Sequence, residues 1–99
     1  MANFHTNLTD NLASAILKLE TKEECYNFLE DMCTIKEILE MAQRLEVARL
    51  LDEGKPYNDV AAKTGASTAT ISRVNKCISY GTGGYKLILD RMYKEDGNK

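Results

Sequence analysis

Tryptophan is missing from this chain of 99 residues, proline and histidine occur once each, and cysteine three times. Each shortage closes off a class of protein. The single proline, Pro56, leaves long stretches in which helices can run without losing a backbone donor. Cys25, Cys33 and Cys77 are odd in number and form no Cys-x-x-Cys pair. A structural zinc site needs about four soft or imidazole ligands, and only these three and His5 are available, so no metal is expected. Each cysteine instead falls at an apolar position of a helical pattern, where a free thiol acts as a small core hydrophobe. No apolar run is long enough to cross a membrane, and the polar start lacks the basic-then-apolar order of a secretory leader. The cytoplasm is therefore the expected compartment, with no membrane partner. Catalytic residues are not expected either. The one histidine lies near the start, and the Gly81-Thr-Gly-Gly84 stretch lacks the Lys-Ser/Thr that a phosphate loop requires. The paired acids Glu23–Glu24, Glu30–Asp31 and Asp52–Glu53 read as solvated faces or helix-dipole partners.

Acidic residues are absent from one long stretch. Residues 60–89 carry Lys63, Arg73, Lys76 and Lys86 and no acid, a net charge of +4. The rest of the chain holds nine basic and fifteen acidic groups, a net charge of −6, so the overall −2 hides a basic segment on an acidic body. Such a segment is the electrostatic footprint of a surface that meets an anionic polymer.

What remains is helical patterning, and no segment shows the alternation of a strand. The expected fold is all-α, about six helices forming a single domain over residues 1–99. Leu8, Leu12, Ala15, Ile16 and Leu19 make a first stripe after a polar Thr6–Asn7 start. Thr21 with Glu24 reads as a capping box and opens a second helix with Cys25, Phe28, Leu29 and Met32 on one face. Thr34 with Glu37 repeats the signature before the longest helix, which should run to about Leu51 and stop at Gly54. Its apolar set (Ile35, Ile38, Leu39, Met41, Ala42, Leu45, Val47, Ala48, Leu50, Leu51) is wider than one face requires. Helices so broadly apolar are covered from two sides, and in a chain this short the second cover can be another copy. Beyond Gly81, Gly83 and Gly84 a last helix carries Tyr85, Ile88, Leu89 and Met92, and the tail from Glu95 is expected to fray.

Between the long helix and the glycines, residues 57–76 read YNDVAAKTGASTATISRVNK. Ala61 is small enough for two helices to approach closely. Gly65 suits a left-handed turn. Ser67 can cap the following helix. Val60, Ile71 and Val74 can fill the apolar wedge between the two helices. Small residue fifth, glycine ninth and branched aliphatics fifteenth and eighteenth are the steric requirements of a helix-turn-helix. If Ile71 and Val74 face inward, helical geometry turns Thr68, Ala69, Ser72, Arg73 and Lys76 outward. With Lys63 and Ser67, these form the candidate surface for double-stranded DNA, Arg73 being best suited to fork onto a guanine or a phosphate. The short side chains imply modest direct readout, supplemented by water and DNA shape.

The segments AQRLEVARLLDEG (42–54) and TGASTATISRVNKCISYG (64–81) resemble the tryptophan-repressor superfamily, and most of the chain is similar to its YerC/YecD branch. The resemblance implies a sequence-specific transcriptional regulator, with repression the expected mode. It also implies an intertwined homodimer, with residues 8–52 and 84–94 supplying the dimerisation helices. Two recognition helices would then stand about one DNA turn, roughly 34 Å, apart on a near-palindromic site. In the tryptophan repressor two arginines sandwich the indole, and Arg44 and Arg73 match their positions. Thr34 and Cys77 join them as the candidate ligand set that the resemblance implies. Two departures argue against tryptophan itself: Val74 stands where the repressor has glycine, and Cys77 where it has serine. A different small co-effector, or none, is expected, and no cofactor. Arg44 has a plainer reading as an ion-pairing partner of Glu40, four residues earlier. The competing class is a helical interaction module or adaptor that docks to another protein and does not bind DNA.

Overall fold

The computed structural model describes residues 4–94; the amino-terminal three residues and the tail from Glu95 lie outside the described residues. The described residues form six α-helices and a closing π-helical turn, without a strand: α1 (Asn7–Leu17), α2 (Lys22–Met32), α3 (Ile35–Asp52), α4 (Tyr57–Thr64), α5 (Thr68–Tyr80), α6 (Gly84–Leu89) and the turn Asp90–Lys94. The chain divides into two compact units, Met1–Ile38 and Leu39–Lys99.

In the first unit, helix starts are fixed by hydroxyl caps. Thr6 caps α1 through a reciprocal box with Thr9, a pairing of two threonines that the usual Ser/Thr-x-x-Glu/Gln signature does not cover. The Thr21 hydroxyl accepts from the Glu24 amide at 3.0 Å, as expected at the start of α2. The Glu24 carboxylate, however, accepts from the amide of Glu20 rather than that of Thr21, so the box is shifted outward by one residue. At α3 the box is complete: Thr34 N–H donates to Glu37 Oε1 at 2.8 Å and Glu37 N–H to the Thr34 hydroxyl at 3.1 Å. The Thr34 backbone amide, with a smaller contribution from the Thr34 hydroxyl, holds the Glu37 carboxyl below its usual range. The stripe of α1 remains largely open, whereas Cys25, Phe28 and Leu29 of α2 are half-buried. Leu8, Ile16, Leu17 and Met32 are all more than half exposed, and so are Ile35 at the start of α3 and Leu39 just beyond this unit.

The second unit contains the core. Val47, Ala48 and Leu50 of α3, Val60 of α4, Ala66, Ile71 and Val74 of α5 and its approach, and Leu89 of α6 are buried together. Leu45, Leu51, Ala61, Ile78 and Tyr85 pack around them. Only the carboxy-terminal half of the broad α3 stripe is thus covered within one chain. Helix α3 stops at Gly54, whose amide donates to Leu51 O, while Lys55 N–H reaches back to Leu50 O. Cys77 departs from the expected core role: it is exposed on α5, whereas Cys25 and Cys33 are half-buried. Its helical neighbours Ile78 and Val74 already occupy the inward positions, which leaves position 77 on the flank.

Charge ties the carboxy-terminal turn to α3. Asp52 accepts from Lys86 Nζ at 3.1 Å and from Lys94 Nζ at 3.3 Å, and Asp90 faces the same two ammoniums at 3.8 and 3.3 Å. Burial pushes the Asp52 carboxyl up, but hydrogen bonds from the two ammoniums outweigh it and leave the group below its usual range. Arg49 pairs with Glu46 and Glu53 along α3 and lies over the Tyr93 ring, 5.8 Å from its centroid.

Candidate nucleic-acid interface

The α4–turn–α5 segment is built from three local decisions. Helix α4 ends because Gly65 adopts φ +74°, a left-handed conformation that a side chain would strain, and its amide closes onto Ala61 O. Thr64 knots the turn twice: its hydroxyl donates to Val60 O at 2.7 Å and accepts from Ala66 N–H at 3.1 Å. Helix α5 begins because the Ser67 hydroxyl accepts from Thr70 N–H at 3.1 Å. Val60, Ile71 and Val74 are then almost wholly buried in the wedge between α4 and α5.

With that face turned inward, the opposite face of α5 is forced outward. Thr68, Ala69, Ser72, Arg73 and Lys76 are exposed on α5, and exposed Ser67 and Lys63 flank it at its cap and on the last turn of α4. The first turn of α5 contains no acid. Of the four cations in residues 60–89, Lys86 is engaged by Asp52 and Asp90, while Lys63, Arg73 and Lys76 enter no ion pair among the described residues. The unneutralised charge of the segment therefore belongs to α4 and α5. An exposed row of short hydroxyls flanked by free cations can approach a phosphate backbone closely and donate to it from both kinds of group.

Four residues, Arg44, Arg73, Thr34 and Cys77, match a ligand pocket by resemblance. Arg44 is half-buried on α3, and no ion pair joins it to Glu40 among the described residues. Arg73 and Cys77 are exposed on α5, and the Thr34 hydroxyl is occupied by its capping bond to Glu37. A separate cleft of about 230 Å³ is lined by Arg49, Asp52, Glu53, Leu89, Tyr93 and Lys94, whose charged groups are already paired within the protein. Sequence reasoning missed Gln43, whose side-chain amide donates to Thr64 O at 3.1 Å. The one available signal was that Gln43 is the sole uncharged polar side chain of α3.

The family model for the Trp repressor protein matches residues 7–93, covering both the helix-turn-helix and the helices before and after it. The chain belongs to the Trp repressor family. A relative in Bacillus subtilis (strain 168), the uncharacterised protein YerC, is 55% identical over 83 residues, 84% of this chain and 80% of that one. Two solved structures share the fold. A TrpR like protein from Eubacterium eligens ATCC 27750 has a TM-score of 0.87 at 50% identity, covering 90% of this chain and 92% of that one. A candidate Trp repressor from Staphylococcus aureus has a TM-score of 0.86 at 46% identity, covering 89% and 88%. Trp repressor membership accounts for the all-helical fold and describes a regulator type rather than an enzyme type of domain. No described helix is long and apolar enough to cross a membrane.

Proposed function

We propose that this Trp repressor family protein is a sequence-specific transcriptional regulator, acting as a homodimer that places α5 of each copy in the major groove and represses by occupancy. The observation that carries this reading is the outward face of α5. Thr68, Ala69, Ser72, Arg73 and Lys76 are all exposed on a helix whose other face is locked by Ile71 and Val74, with its cations free of ion pairs among the described residues. Support for a second copy comes from Leu8, Leu17, Ile35 and Leu39, between 63% and 83% exposed in one chain. Large apolar side chains at helical spacing do not stay in water when a matching surface is at hand.

Tryptophan is not the proposed effector. Val74 is 1% exposed and belongs to the wedge between α4 and α5, where added bulk leaves less room for an indole than glycine would. Arg44, Arg73 and Cys77 remain the proposed contacts for any other small co-effector.

Selection of random duplexes on the purified protein at low salt, with and without L-tryptophan, tests both statements. A near-palindromic site should be enriched by the wild type in either condition and lost with Arg73→Ala. Absence of enrichment from a folded protein would favour the adaptor reading, and enrichment that needs L-tryptophan would reverse the statement on the ligand.

A further inference from the structure

We infer that Gln43 is a positioning residue, through which the long helix α3 holds the turn of the helix-turn-helix and thereby sets the stance of α5; the inference rests on the DNA-binding reading above. Residue Thr64 ends α4, and because Gly65 turns left-handed, the Thr64 carbonyl has no further helical turn to satisfy it. The Gln43 side-chain amide supplies that donor at 3.1 Å from 21 positions away, at a part-buried site. Among the described residues it is the one side-chain hydrogen bond that joins α3 to residues 57–80.

The bond falls where it has most leverage. The Thr64 hydroxyl fixes Val60 O and Ala66 N–H, Ala66 is buried, and Ser67 immediately caps α5. Thr64 is therefore tied at its hydroxyl to α4 and to Ala66 in the turn, and at its carbonyl to α3. A Cβ at position 65 would lie 4.0 Å from Gln43 Nε2, ordinary contact, so the Gln43 amide sits directly against the turn. The rest of the coupling between α3 and this segment is apolar packing of Val47, Ala48 and Leu50, which is non-directional. The hydrogen bond adds a directional preference for one position of the turn along α3.

The test uses Gln43→Met, which keeps length and removes the donor, and Gln43→Glu, which puts an ionised acceptor against the carbonyl. Backbone amide exchange in the full, DNA-free protein should quicken roughly three- to tenfold at Gly65, Ala66 and Ser67, the effect of one lost hydrogen bond, and stay unchanged at Val47 and Leu50. On a duplex selected by the wild type, affinity should fall by a similar factor while the slope of log affinity against log salt stays the same, because no phosphate contact is removed. Exchange that is unaltered in both variants, or uniformly faster across the chain, would overturn the inference. So would full affinity on a duplex that the wild type binds, which would leave the DNA-binding reading standing. A wild type that binds no duplex would instead remove that reading and the inference with it.

Discussion

At position 65 a glycine decides whether a turn or a longer helix follows α4. Its φ of +74° lies where L side chains are strained by roughly 1–2 kcal/mol, and the neighbouring atoms leave space, so backbone conformation alone sets the requirement. Gly65→Ala should lower stability by about that amount in a denaturant titration, with an unchanged slope, and Gly65→Asn by less. An alanine variant as stable as the wild type would show that the turn tolerates another path. Position 81 obeys a different constraint: a Cβ there would collide with the Cys77 carbonyl oxygen, so α5 cannot end this way with any other residue. Arg73 and Lys76 differ from both, since nothing within the described chain requires their charge. Their exposure without ion pairs is what separates a binding role from a packing role.

Helices here were legible wherever their determinants are local. The caps at Thr21, Thr34 and Ser67, the stop at Gly54 and the inward set Val60, Ile71 and Val74 all depend on residues within a turn or two of one another. What could not be read depends on partners far along the chain. The π-helical turn Asp90–Lys94 is held by Asp52, and the Thr64 carbonyl by Gln43; no periodicity encodes either. The exposure of Cys77 was missed because an apolar position on a helix was equated with a covered one. Acid should act on elements through three depressed carboxyls: Glu37 in its capping box, Glu46 on Arg49, and Asp52, where Lys86 and Lys94 overcome burial. A carboxyl whose folded pKa lies below its unfolded value contributes stability above the unfolded value and loses it as pH falls through the folded one. The urea midpoint should thus hold between about pH 7 and pH 5 and fall below about pH 4. A midpoint that is level down to about pH 3 would mean these pairs persist only in the folded geometry and not in its energetics.

Among the described residues two imbalances point outward: exposed apolar side chains on α1 and the first half of α3, and cations on α4 and α5 that enter no ion pair. On the proposed reading a second copy answers the first and a phosphate backbone the second. If the homodimer forms through those apolar faces, sedimentation should show a single dimeric species, and Leu39→Glu should shift it towards monomer, whereas a monomeric wild type would leave the faces to another protein. The salt dependence of binding to a selected duplex tests the central claim most directly. Lys63, Arg73 and Lys76 from two copies should neutralise about six phosphates, so affinity should fall roughly 10³-fold between 50 and 200 mM salt, and Lys76→Ala should flatten the slope by about 1.8. A complex nearly indifferent to salt, or a slope untouched by Lys76→Ala, would contradict the assignment of this face of α5 to DNA.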